Sequence, residues 1–341
     1  MRLPSVAVND GAIDFDSTSL RPADVDCHRT RAAFTCRRPA ASRLPFHYHL
    51  VPPRLRMMIA SVIGRAKRNS IDKWARFPMF PIDLSADFLA DMVGDEPSLF
   101  LDQPTPVCLS HDLDSAEGLR NAIGMFFDIE QSVEARSTNF IVPCAWPVDH
   151  GLLDEARSRG HDIGVHGFDH SNRTAFAEQA ERLERLKGAS ELIERYGVTG
   201  YRAPSLLRTP ELLRDLAGFY RYDSSIPTAG GLFPVPNNGC ASARPFMCEG
   251  IIELPISMPR DGSLRFLGYA PDKIAGTWIE CAKAIAASGG VVMLVTHCEA
   301  RFSGNDGMLG AYRRFLEFVA SDDRFAFALP QQVLDTATGE S

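Results

Sequence analysis

A chain of 341 residues, 45% hydrophobic and 23% charged, has the composition of an ordinary globular protein and can bury a full core as one large domain or two ordinary ones. Its formal net charge of -7 provides no basic field to collect phosphate backbones, which sets nucleic acid aside as a principal partner and favours a small or carbohydrate ligand. Eight cysteines (27, 36, 108, 144, 240, 248, 281 and 298) form no CxxC pair, so they read as reduced, mostly buried thiols rather than a zinc knuckle or a redox motif.

The opening MRLPSVAVND lacks the charged-then-apolar pattern of an export signal, and no stretch reaches the roughly 18 apolar residues of a membrane span. The expected location is therefore cytoplasmic. Up to about Pro53 the chain is irregular and rich in Arg and Pro, and residues 1–103 read as an N-terminal, partly helical extension. Within it, Arg54 to Arg68 places Leu55, Met58, Ile59, Val62 and Ile63 on one helical face, with basic residues mainly at the ends. Such a helix is expected to pack on the catalytic domain; the alternative is weak association of residues 54–68 with a membrane surface. After Pro78 and Pro81 a second helical stretch is expected from Ser85, as its cap, to Val93.

From about Pro104 short β-branched runs alternate with segments of helical period, the rhythm of parallel strands joined by helices. Strands are expected at Val107 to Asp112, Asn139 to Val142, Asp162 to His166, Val198 to Arg202, Ile251 to Pro255, Val291 to His297 and Phe325 to Leu329. Helices are expected to start at Ser115, at Thr174 and at Thr209, the last followed by Pro210 and Glu211. The middle one is expected to run unbroken to Tyr196, with Leu183, Leu186, Ser190, Ile193 and Tyr196 near its inner face.

The ionisable residues that stand out fall at the C-terminal ends of these strands, where barrels of parallel strands build their active sites. In Ser110-His111-Asp112-Leu113-Asp114, extended geometry puts Asp112 and Asp114 on one face about 7 Å apart, so one can bind a metal while the other stays free. Leu109, His111 and Leu113 then face the helices. A DxD at a strand end also serves turns and caps. His166 and His170 can converge on one ion if the segment between them turns as a helix does, although a single such histidine is more often structural. With Asp114 the set becomes two nitrogens and one oxygen, the composition of a catalytic site with positions open for water. Arg202, before Ala203-Pro204, can hold a free carboxylate by a paired hydrogen bond, and His297 leaves a buried apolar strand.

In this order the segments resemble the polysaccharide deacetylase family, also called the NodB-homology or family 4 carbohydrate esterase group, over roughly residues 104 to 330. The resemblance implies a distorted (β/α)7 TIM-like barrel, with residues 104–341 as the catalytic domain. It also implies Asp112 as base and Asp114, His166 and His170 as ligands of one divalent metal. Zn2+ leads there, with Co2+, Ni2+, Mn2+ or Fe2+ as alternatives. By the same resemblance Arg202 would orient the base and His297 would protonate the leaving amine. The separated Asp112-Leu113-Asp114 resembles the branch containing certain peptidoglycan deacetylases, purine-ring amide hydrolases and lipid-sugar deformylases. Two departures stand out: Ser205 replaces an aromatic residue, and Glu253-Leu254-Pro255 replaces an Asp-containing motif. Tyr222-Asp223-Ser224-Ser225 resembles a further segment of that branch, with a cap or turn as the alternative for Asp223. The implied activity is hydrolysis of a non-peptide amide, such as de-N-acetylation of an amino sugar. Alternatives are a deformylase, a cyclic amide or imide hydrolase, and a noncatalytic carbohydrate-binding descendant. Trp146, Phe168 and Phe302 are candidates for stacking on a sugar or for ordinary packing.

Overall fold

The computed structural model describes residues 5–6, 51–68, 81–84, 86–87, 98, 100–229 and 239–339. Of the stretch expected from Ser85 to Val93, Ser85 and 88–93 lie outside these residues, as do Cys27, Cys36 and Pro78. Among the described residues no helix is long and apolar enough to cross a membrane, and Cys108, Cys144, Cys240, Cys248, Cys281 and Cys298 are free thiols, all but Cys144 buried.

A ten-stranded sheet forms the centre. Its strands are β1 (Ser5–Val6), β2 (Thr105–Leu113), β3 (Ser137–Ile141), β4 (Asp162–Val165), β5 (Gly200–Tyr201), β6 (Tyr222–Asp223), β7 (Phe246–Cys248), β8 (Ile251–Glu253), β9 (Val292–His297) and β10 (Phe325–Phe327). The order is β1-β7-β8-β6-β5-β4-β3-β2-β10, with β9 also on β2. Every pairing is parallel except the β7–β8 hairpin. All seven expected strands are present; β1, β6 and β7 were not among them. The two-residue β1 and β6 and three-residue β7 are too short to show a period in sequence.

The sheet curls into the distorted barrel. At the seam between β8 and β9 no ladder forms. Instead Met293 N–H donates to Ser257 Oγ at 2.8 Å, Ser257 Oγ donates to Val291 O at 2.7 Å, and Met258 N–H donates to Met293 O at 3.2 Å. Alternation along β2 divides the core: Leu109 and Leu113 pack outward under the helices, while Cys108 joins Phe140, Tyr222, Leu254, Met293 and Val295 in an inner cluster. Ser110 and Asp112 continue that inner face towards the strand's exit.

Helices cover the outer face, except the last, whose Val333, Leu334 and Ala337 join the inner cluster. They are α1 (Pro53–Lys67), α2 (Ala116–Asn121), α3 (Phe127–Gln131), α4 (His150–Ser158), α5 (Arg173–Phe176), α6 (Gln179–Lys187), α7 (Ser190–Tyr196), α8 (Pro210–Leu216), α9 (Asp261–Phe266), α10 (Pro271–Ala287), α11 (Asp306–Ala320) and α12 (Pro330–Thr338). Ser115 caps α2 by accepting from Gly118 N–H at 3.2 Å, and Thr209 caps α8 by accepting from Leu212 N–H at 3.2 Å, as their positions predict. Between α2 and α3 the chain widens into a π turn over Ala122–Phe126.

One expectation fails and another holds only in part. The long middle helix is broken into α5, α6 and α7. Ala177 is extended, and at Gly188 a Cβ would lie 2.3 Å from the Phe168 ring, so the chain approaches that ring too closely to carry a side chain. Thr174 is accordingly no cap; its Oγ1 accepts from Arg185 Nε at 2.8 Å. The break also shifts the inner face, burying Ala189 and Leu192 and leaving Ser190 exposed. The second is α1, which packs on the barrel domain as expected, but through Ala60 and Gly64 against Phe266 rather than through its apolar face. Its apolar face of Leu55, Met58, Ile59, Val62 and Ile63 is turned to solvent.

Candidate active site

β2 delivers Asp112 and Asp114 to the barrel's C-terminal mouth, and β4 delivers His166 and His170 beside them. One donor atom each from Asp114, His166 and His170 lie within 4.8 Å of one another. His166 Nε2 and His170 Nε2 stand 3.6 and 3.1 Å from Asp114 Oδ1. Oδ1 is buried, and apart from these two imidazoles nothing among the described residues is within hydrogen-bonding reach of it. His166 Nδ1 lies 3.0 Å from the carbonyl of Arg202. A carbonyl only accepts, so Nδ1 carries the proton and the Nε2 lone pair faces Asp114. Burial also holds the His166 imidazole below its usual pKa, favouring the neutral ligand form.

The segment between the histidines does not turn as a helix. Gly167 at φ +70° and His170 at φ +56° reverse the chain through left-handed conformations. A Cβ on Gly167 would lie 2.5 Å from the Pro204 ring, so glycine is needed there twice over.

Asp112 lies beside this cluster, 3.8 Å from His166 Nε2 through Oδ2. Its other oxygen accepts from Arg202 Nη1 at 2.8 Å. The bond is single rather than paired, because the other guanidinium donors serve Ser224 O at 3.0 Å and Ser224 Oγ at 3.1 Å, with Ser110 Oγ also 3.0 Å from Nη1. Arg202 is fully buried and lies 4.0 Å over the Phe140 ring, so its position is set on every side. Burial opposes charge on Asp112, but Arg202, then His166 and His297, hold its carboxyl below the usual range.

His297 leaves β9 paired in register with Asp112. Its Nδ1 is 2.8 Å from Asp261 Oδ1, and its backbone N–H donates to Asp261 Oδ2 at 2.8 Å. Ser303 Oγ and Gly262 N–H complete the carboxylate's bonds. Burial works against the imidazolium, but Asp261, followed by Asp114 and Asp112, raises the pKa to about 10. Asp261 was not among the residues singled out in the sequence. Glu253, read there in place of an acidic motif, is buried elsewhere: it accepts from Ile226 N–H at 2.8 Å and pairs in register with Asp223. Both carboxyls are raised, by burial in each case and, for Glu253, by Asp223 as well. Asp223 sits in β6 rather than capping a turn, and its Oδ1 accepts from Ser225 Oγ at 2.6 Å. Of the aromatic candidates, Phe302 packs 4.8 Å from the His297 ring and Phe168 lies under Arg185, while Trp146 packs against the core.

Behind the site, on the outer face of the same strands, His111 Nδ1 is 2.7 Å from Thr296 Oγ1 and its Nε2 is 2.7 Å from Glu130 Oε1. Tyr312 donates to the same oxygen at 2.8 Å. His111 faces the helices as the alternation of β2 predicts.

The curled sheet is similar in fold to solved structures described as polysaccharide deacetylases. A structure from Mycobacterium smegmatis described as a polysaccharide deacetylase matches 72% of this chain and 94% of its own, with TM-score 0.58 and 20% identity. One from Pseudomonas aeruginosa PAO1, described in the same terms, matches 76% and 99%, with TM-score 0.58 and 14% identity. The PuuE allantoinase matches 76% and 98%, with TM-score 0.57 and 15% identity. No sequence-family profile matches the chain, and no curated protein matches it by sequence.

Proposed function

We propose that the chain is a metal-dependent hydrolase of a non-peptide amide bond, most simply one that removes the N-acetyl group of an amino sugar or sugar-containing metabolite. Residues 104–341 would carry the activity and 1–103 form the extension. The observation that carries the proposal is the convergence of three metal-type donors, a separately held carboxylate and a carboxylate-backed histidine at one barrel mouth.

Asp114, His166 and His170 fit a divalent ion: two imidazole nitrogens and a carboxylate oxygen face one another, and Asp114 Oδ1 has no other partner among the described residues. Zn2+ suits the set best, and Co2+, Ni2+, Mn2+ and Fe2+ are also compatible with it. Such an ion would supply Lewis-acid polarisation of the amide carbonyl and a more acidic water. Asp112, ionised and aimed by Arg202, takes the proton of the attacking water. His297, held protonated by Asp261, delivers a proton to the departing nitrogen, leaving a carboxylate and a free amine.

Incubating the metal-loaded protein with N-acylated sugars, and separately with cyclic amides, tests the reading. Acetate release is expected. Formate release would make it a deformylase, and ring opening would favour the second reading, supported by the structural likeness to an allantoinase. The proposal fails if no amide is cleaved and Asp112→Ala leaves every measured activity unchanged.

A further inference from the structure

The helix α1 presents an apolar face to solvent. Leu55 is 42% exposed, Met58 58%, Ile59 44%, Val62 62% and Ile63 40%. At about 100° per residue these five cover an arc of roughly 140°. The opposite side is committed: Ala60 packs with Phe266 and Phe302, and a Cβ on Gly64 would lie 2.2 Å from Phe266 O. The exposed arc is therefore not a face awaiting its own domain.

Charge says what covers it. Residues 53–68 contain Arg54, Arg56, Arg65, Lys67 and Arg68 and no acid, in a chain whose net charge is -7. On the helical wheel Arg54 and Arg65 border one edge of the apolar arc and Lys67 the other. Basic residues flanking an apolar stripe on both sides suit a helix lying in a lipid interface, with the stripe in the acyl boundary and the cations among anionic headgroups. A second protein copy would bring the same positive edges together.

We propose that α1 docks the protein on the surface of an anionic lipid bilayer, in the plane of the interface. The helix sits close to the catalytic candidates, since Phe302, which shares the Ala60 and Phe266 cluster, packs 4.8 Å from the ring of His297. Docking would hold the barrel mouth beside the bilayer.

The test is flotation of the full chain with vesicles of phosphatidylcholine alone or mixed with phosphatidylglycerol, at low and high salt. Expected is binding to the mixed vesicles at least tenfold stronger than to phosphatidylcholine, weakened by salt. Val62→Glu and, separately, Arg65→Glu should each reduce it at least fivefold with unchanged circular dichroism and melting. The proposal is overturned if the native protein floats with neither vesicle, or if Val62→Glu and Arg65→Glu bind like the native chain. It is equally overturned if Val62→Glu instead dissociates a dimer. None of these readouts depends on catalysis, so their failure is separate from failure of the proposed hydrolase activity.

Discussion

Asp261 grips His297 at two points, accepting from the backbone N–H through Oδ2 at 2.8 Å and standing 2.8 Å from ring Nδ1 through Oδ1. One carboxylate thus fixes both the position of the histidine and its charge. Because the pKa is raised to about 10, the imidazolium persists through neutrality and is lost as pH rises through that value. Asp112 is held low, so it is already ionised there. The profile of kcat/KM should have a broad neutral plateau and an alkaline limb near 10. Asp261→Asn should move that limb down by two or more pH units and cut activity at pH 8.5 about tenfold or more. A limb that stays in place would remove Asp261 from the role of holding the proton.

Arg202→Met should be more damaging than its distance from solvent suggests. The guanidinium is the partner of Asp112 and fills the donors needed by Ser224. Removing it leaves a buried carboxylate uncompensated, a loss of about 3 to 5 kcal/mol. Arg202→Lys keeps the charge but not the fork, and should retain most stability while losing at least tenfold in kcat. Urea denaturation together with kcat of both variants checks the two halves; equal kcat for Lys and native Arg would count against orientation of the base.

How much of this was legible in sequence depends on range. Asp112, Asp114, His166, His170, Arg202 and His297 could be placed because each ends or follows an apolar strand, and strand exits cluster in a parallel barrel. Asp261 could not: at the start of a short helix after Pro259-Arg260 it reads as an ordinary first-turn acid, and its partner is 36 residues away. The break of the middle helix was hidden for a similar reason. Gly188 costs a helix little by itself, and only the tertiary approach of Phe168 makes the glycine obligatory. The apolar stripe of α1 was visible, but periodicity cannot tell which side of an amphipathic helix meets its own domain; the close contact at Gly64 decides that.

Gly167→Ala tests whether the turn between the histidines sets the proposed metal centre. The residue sits at φ +70°, and the added methyl would meet the Pro204 ring at 2.5 Å. The loop must move, carrying His170 away from Asp114. Metal content measured after dialysis should fall at least tenfold, with activity following, while the melting temperature changes little because strands β2 to β4 are untouched. His166→Ala should abolish binding outright. Full metal retention in Gly167→Ala would show that the turn is not what brings the ligands together.

Acid should destabilise the fold through His161, on the outer side of the sheet. Its Nδ1 accepts the Ser137 backbone N–H at 3.2 Å, and Nε2 is buried without a partner among the described residues, so the ring is neutral. It stacks 3.5 Å from Phe127. Burial lowers its pKa to about 4, even though Glu130 pulls the other way. The unfolded chain, with an ordinary histidine near 6.5, takes up the proton first as pH falls. Stability is therefore fully present above about 6.5, declines down to about 4, and loses nothing more from this group below that. The loss is about 2 to 3 kcal/mol at pH 4.5. Urea unfolding at pH 7.5 and 4.5 should show this loss in the native chain, and His161→Gln, which cannot titrate, should lose about that much less between the two values. If the two proteins decline in parallel, protonation of His161 is not what weakens the fold, and the buried Glu130 network becomes the group to substitute next.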